Sequence, residues 1–196
     1  MAASSTQISN LALGKLGQAR IESMSEQSAE ARWCNEFYSQ ALDFVSTDAP
    51  WRHNETIVTM EELTNDRSDD WGYKYNRPSD CLKVRYLLAR TGAFDPQNPV
   101  RYITAGSGIY SDEPTARLVY SQQQTDTTTF PAGFTDALAH YLSHLICQPL
   151  TQSDDKTEKA LAKYYRAKAI AIQNESSEMS WIKTADEGMA DWHAGR

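Results

Sequence analysis

Cysteine is scarce: three in 196 residues, Cys34, Cys81 and Cys147, widely separated and odd in number. That excludes a disulfide scaffold and reads as a chain for a reducing compartment. Long hydrophobic runs are missing too. The first 25 residues hold no apolar block longer than Leu11-Ala12-Leu13, so no secretory core is expected, and nothing approaches the run of roughly 18 a membrane span needs. Without secretion, the acceptor-like triplets Asn54-Glu55-Thr56 and Asn174-Glu175-Ser176 carry no meaning. Positive charge is in deficit: 19 basic against 26 acidic residues, net −7. A protein whose main task is gripping phosphates would be basic, so that class is disfavoured. No internal repeat or low-complexity segment is visible. With 40% hydrophobic and 23% charged residues the composition is otherwise that of a globular chain, long enough to fold without metal or cross-link.

Chemical motifs are equally sparse. There is no Gly-x-Ser-x-Gly elbow and no cysteine-protease signature. Gly14-Lys15 lacks the upstream glycine and the strand of a phosphate loop. His140 and His144 are four apart on a helical stretch, but Tyr141, Leu142 and Ser143 lie between them, without the glutamate of a zinc protease and without a third ligand in range. Cys147 follows three residues later and reads as a buried core thiol. Glu61, Glu62, Asp66, Asp69 and Asp70 form an acidic stretch without calcium-loop spacing, which reads as a solvated loop. No catalytic, cofactor-binding or metal-ligating residue is therefore assigned.

Periodicity organises the chain. Apolar residues recur at helical spacing over Thr6–Leu16, with Ile8, Leu11, Ala12 and Leu16 as the stripe and Gly17 past its end. A second helix is predicted over Ser28–Ser46, so rich in Trp33, Phe37, Ala41 and Phe44 that burial on most sides is expected; Ala49-Pro50 stops it. Residues 55–121 change character. Glu55–Met60, Tyr73–Asn76, Leu82–Ala89, Val100–Ala105 and Thr115–Ser121 are short, β-branched and aromatic, and turn signals separate them. Tyr102–Tyr120 reads as two hairpins, the first turning at Gly106-Ser107-Gly108. A third helix is expected from about Pro131 or Phe134 to Cys147, ended by Pro149, and a fourth from Ser153, antiparallel to it, fading near Asn174.

The fold class that follows is α+β, mainly α: a bundle of about four helices, residues 1–52 and 130–175, with a small antiparallel β domain, 53–129, inserted between its halves. A C-terminal tail, 176–196, carries a capping box at Thr184–Glu187 and a possible short helix. Five tryptophans are many for this length. Trp33 and Trp51 have ordinary core explanations, and Trp71 reads as core or contact alike. Trp181, Ile182, Met189 and Trp192 are different: they lie in a polar, acidic tail, where large apolar groups read as anchors for a partner surface.

The order of these features resembles a known family. Ile8-Ser9-Asn10-Leu11-Ala12-Leu13-Gly14-Lys15-Leu16-Gly17 is similar to its opening Asn-x-Ala-Leu-x-x-Leu-Gly. Ala41-Leu42-Asp43-Phe44 followed by Ala49-Pro50-Trp51-Arg52 is similar to its Leu-x-x-x-Pro-Trp. Tyr73-Lys74-Tyr75-Asn76-Arg77-Pro78-Ser79-Asp80-Cys81-Leu82 resembles its Tyr-x-Tyr-x-x-Pro-x-Asp-Cys-Leu, the most specific stretch. Phe134-Thr135-Asp136-Ala137-Leu138-Ala139 and the helix after Leu150-Thr151-Gln152-Ser153 complete the pattern. The family is the tailed-phage head-to-tail adaptor, tail tubular protein A in short-tailed phages, and the resemblance spans residues 6 to 175. It implies a structural virion protein without catalysis or cofactor, found at the head–tail junction and in the host cytoplasm during assembly. It implies self-association into a ring, dodecameric by resemblance, docked beneath the portal protein and offering a platform to the tail tube or nozzle protein. DNA would pass through the lumen without sequence-specific binding, and the acidic balance suits sliding rather than grip. No membrane contact is expected. The alternatives are a tail-associated glycan hydrolase, which needs two carboxylates across a cleft, and a soluble helical interaction protein with no virion role.

Overall fold

In the computed structural model residues 3–177 are described. Four helices, α1 (Ser5–Leu16), α2 (Ala29–Asp48), α3 (Ala132–Thr151) and α4 (Asp154–Ser177), frame seven strands: β1 (Glu55–Thr59), β2 (Glu62–Leu63), β3 (Tyr73–Asn76), β4 (Cys81–Leu88), β5 (Tyr102–Ala105), β6 (Gly108–Ser111) and β7 (Arg117–Gln122). All strand pairs are antiparallel, so the fold is α+β with the β region inserted between helices. The chain divides into two compact units, residues 1–41 with 130–196, and residues 42–129.

The helical unit is built on local signals. Ser4 caps α1: its hydroxyl accepts from the Gln7 amide while the Gln7 side chain accepts from the Ser4 amide, and Gly17 takes the left-handed position (φ 72°) that ends the helix. Asn10 then uses both ends of its amide on Ile21, accepting from its N–H at 2.8 Å and donating to its C=O at 2.9 Å, which folds the outgoing chain back on α1. Ile8, Ala12 and Leu13 are buried, but Leu11, expected in the stripe, is half exposed. In α3, Phe134, Leu138, Leu142 and Ile146 are fully buried. Contacts of residue 133 with 171, 141 with 164 and 144 with 157 run in opposite directions, so α3 and α4 are antiparallel.

Three helical expectations need correction. Pro149 does not end α3, which runs on to Thr151. Its missing N–H falls in the last turn, and the Thr151 hydroxyl (2.8 Å to Cys147 O) and a left-handed Gln152, whose N–H bonds Gln148 O, finish the helix. Nor is α2 buried on most sides. Ala31, Cys34, Ala41, Leu42 and Val45 are buried, Trp33 and Phe37 stack half-buried with ring centroids 5.9 Å apart, and Phe44 is exposed. α4 also continues past Asn174 to Ser177.

The β unit holds two sheets rather than one, ordered β1-β7-β4 and β2-β3-β6-β5. Only the first expected hairpin forms. β5 and β6 turn through Gly106 and Ser107, with Gly106 at φ 58°, the place where a type II′ turn puts glycine. β6 and β7 do not pair: the residues between them, including Thr115 at φ 54°, carry the chain from one sheet to the other. Residues of both sheets build one core, Tyr75 and Ile109 from one, Leu87, Leu118 and Tyr120 from the other, with Met60 and Ala116 between.

Candidate functional site

Two surface features concentrate charge, one in each unit. In the helical unit the C-terminal turn of α1 places Lys15 where a cation complements the helix dipole. Its ammonium donates to Asp136 Oδ1 at 2.8 Å and lies 3.0 Å from His140 Nε2. Burial lowers the His140 pKa, and the Lys15 and Lys163 ammonium groups lower it further against the opposing pull of Asp136. The lowered pKa favours the neutral imidazole, whose Nε2 is placed to accept from Lys15. Lys156, Lys159 and Lys163 of α4 project beside Lys15, and with Leu16, Ser143 and Ala160 they line a cleft of 190 Å³. The Ser143 hydroxyl donates to His140 O at 2.7 Å, so it is committed to the helix rather than poised as a nucleophile. What this arrangement can do is attract and hold negative charge.

The β unit carries the opposite sign. The stretch read as a solvated loop is organised. Asn65 accepts from the Arg67 amide at 2.9 Å and donates to Trp71 O at 2.6 Å, and β2 pairs with β3. Asp66 accepts from Lys74 Nζ and from Tyr110 OH, each at 2.8 Å, and these bonds, Lys74's first, hold its carboxyl down at about 2. The Arg67 guanidinium lies 5.1 Å and the Lys74 ammonium 5.4 Å from the Tyr110 ring centroid. Trp71 is half-buried beneath Arg101, 5.6 Å away. Glu61, Glu62, Asp69 and Asp70 face solvent around this platform.

The motif residues, with Arg85 beside them in the sheet, do something else: they brace the fold. Arg85 spends four of its five N–H donors at once, on Ser121 Oγ (3.0 Å), Glu55 (2.6 Å), Trp51 O (2.6 Å) and Asn54 Oδ1 (2.9 Å). Asp80 accepts from Tyr120 OH at 3.1 Å and from Gln122 Nε2 at 2.7 Å, and Arg77 bonds the carbonyls of Cys81 and Leu82. Tyr75 donates to Glu113 O at 2.6 Å from a site 1% exposed. A second cleft, 300 Å³, opens between Pro50, Lys83 and Tyr86, where Lys83 Nζ bonds Thr47 O in the last turn of α2.

The residues singled out as partner anchors, Trp181, Ile182, Met189 and Trp192, lie outside the described residues. His140 and His144 do not converge: the first is taken by Lys15, and the second has Nδ1 at 3.1 Å from Thr157 O. Cys147 is fully buried with its sulfur 3.4 Å from the Thr151 hydroxyl. Among the described residues no group of three His, Cys, Asp or Glu side chains is placed to hold a metal ion, and no helix is long and apolar enough to cross a membrane. The lysine cleft was missed in the sequence, although its signal was present: Lys156, Lys159 and Lys163 repeat at helical spacing. Lys15, 141 residues earlier, was weighed only as part of a phosphate loop. No protein-family model matches the chain, and no curated protein matches it.

Proposed function

We propose that the chain is a structural subunit of a tailed-phage virion, an adaptor that assembles as a ring beneath the portal. In this reading the ring, of twelve copies by resemblance, lines part of the DNA conduit and gives the tail tube or nozzle its platform. The protein does no chemistry of its own and takes no cofactor. One observation carries the reading. Four of the five ordered motifs of the resemblance supply braces of this fold: the Asn10 clamp on Ile21, the Trp51 corner, Tyr75 on Glu113 with Asp80 on Tyr120 and Gln122, and Phe134 in the helical core. A resemblance built of braces speaks for a shared architecture, and in the adaptor family architecture is the function. The Ser143 hydroxyl and the His144 ring are spent the same way, on backbone carbonyls.

The test is mass photometry of the purified chain mixed with the portal protein of the same phage. Portal particles gaining whole-number multiples of the chain's mass, up to a full ring, are expected. Portal particles of unchanged mass at saturating chain would overturn the reading.

A further inference from the structure

We infer that the lysine cleft of one copy receives the acidic platform, residues 61–70, of a neighbouring copy. The inference rests on the adaptor reading only in that copies of this chain stand side by side. It adds which surfaces meet.

The cleft is more than scattered charge. Lys156, Lys159, Lys163 and Arg166 recur at steps of three and four, which places them within an arc of about 80° on α4 and spreads them over about 15 Å. All four are exposed. Lys15 closes the row from α1. Two carboxylates moderate it, Asp136 on Lys15 and Asp155 on Lys159. Lys156, Lys163 and Arg166 make no ion pair among the described residues. In a chain of net charge −7 such a row is an attractor for an anionic surface.

The chain itself carries a matching surface. On the platform the local cations are engaged, Lys74 by Asp66 and Arg67 over Tyr110. That leaves Glu61, Glu62, Asp69 and Asp70 exposed and without an ion pair among the described residues. Asn65 and Asp66 tie the segment to Trp71, Lys74 and Tyr110, so little conformational freedom is lost on docking. A lock on one unit and a key on the other make a head-to-tail contact, the kind that repeats from copy to copy and closes when the rotation allows. The contact also brings opposite charges together where like-charged copies would otherwise repel.

The experiment cross-links the full-length chain with a carbodiimide, which joins lysines to carboxylates in contact. Light and nitrogen-15 chains are mixed so that links between copies show by mass. Links from Lys156, Lys159 or Lys163 to Glu61, Glu62, Asp69 or Asp70 of the other isotope are expected at high protein concentration and low salt. Their yield should fall about tenfold or more in K156E/K159E/K163E and in D69K/D70K, and should return when those two variants are mixed. The milder K156Q/K159Q/K163Q should give an intermediate yield, and circular dichroism should show each variant folded. Reciprocal loss without recovery in the mixture would overturn the proposal. So would links confined to one copy. Salt-sensitive binding of a short oligonucleotide that needs the three lysines, with no link between copies, would assign the cleft to nucleic-acid phosphates instead. None of these readouts uses portal, so a failure here and a failure of the adaptor reading are told apart.

Discussion

The indole N–H of Trp51 donates to the carbonyl of Val45 at 2.6 Å, and the ring is wholly removed from solvent. The bond spans the end of α2, so the chain that leaves the helix through Ala49-Pro50 is fixed at once to its last turns. Asn54 repeats the device three residues after Trp51, donating to Ser46 O at 3.0 Å. Trp51→Ala removes ring and donor together and should cost about 3–5 kcal/mol, as for other buried large aromatics. Urea unfolding followed by circular dichroism measures it. A loss under about 1 kcal/mol would mean that the corner stands without its tryptophan.

Gly133 sets how closely α3 and α4 approach. A Cβ built there would stand 2.8 Å from Ala171 Cβ and 3.4 Å from its Cα. Alanine is the better helix former by about 0.5–1 kcal/mol, but overpacking costs about 1–3 kcal/mol. The steric term wins because the neighbouring atoms belong to a short side chain and to backbone, neither of which can swing aside. Gly133→Ala should therefore lower the melting temperature. A variant as stable as the parent would show that the helices separate freely at this end.

How much of this was legible in the sequence follows from range. Periodicity and capping act within a few residues, so the four helices, the Gly17 end of α1 and the position of β3 could be read directly. Pairing acts at long range. Nothing local to Gly108–Ser111 says that β6 joins β3 while β7 joins β1 and β4, so one sheet with two hairpins was expected where two sheets stand. Pro149 misled because its lost N–H is a cost and not a stop: only two helical residues follow it, and the Thr151 and Gln152 bonds to Cys147 O and Gln148 O carry the helix to its end. The acidic stretch misled for another reason. Part of its order comes from Tyr110, 44 residues beyond Asp66, which no window on the stretch itself contains, and it joins the local bonds of Asn65 and Lys74.

The link between the sheets is strained, and Tyr75 restrains it. Thr115 is a β-branched residue with φ 54°, a backbone region costing a non-glycine residue about 1–2 kcal/mol. On either side the Tyr75 hydroxyl engages Glu113 O at 2.6 Å and lies 3.5 Å from the Ala116 amide. Tyr75→Phe should destabilise by about 1–3 kcal/mol, the range for a buried acceptor left without its donor. Thr115→Gly should be neutral or slightly stabilising, since relief of strain offsets the added freedom of the unfolded chain. Paired thermal melts decide. A large loss in Thr115→Gly would locate the value of that residue in its side chain.

The isolated chain should be monomeric at micromolar concentration. Twelve copies of a subunit with net charge −7 repel one another. The contact inferred between cleft and platform is made of exposed ion pairs, each worth about 1 kcal/mol or less and weakened by salt. A portal template would supply the missing affinity by holding neighbours at high local concentration. Sedimentation velocity of the pure protein at physiological salt should show one slow species. Stable rings without any partner would show an interface far stronger than this charge pattern provides.

Acid should weaken the fold before its carboxylates titrate, through His53. Burial, then the nearby Arg85 guanidinium, push its pKa down from 6.5 to about 4. Above about pH 6.5 the imidazole is neutral in both folded and unfolded chains and costs nothing. Between 6.5 and about 4 the unfolded chain takes up a proton that the folded chain refuses, so stability falls as pH falls, with the slope of one proton. Below about 4 both states are charged and this loss stops growing. His140, shifted the same way by burial and by Lys15 and Lys163, adds to the slope. Asp66, held at about 2, loses its contribution from about pH 5 downward and overlaps only the acid end of this window. His53→Gln should therefore flatten the fall in urea-unfolding free energy between pH 7 and 4.5, and His53→Gln with His140→Asn should flatten it further. An unchanged slope in the double variant would mean that both rings accept a proton within the fold, and that the acid sensitivity comes from elsewhere.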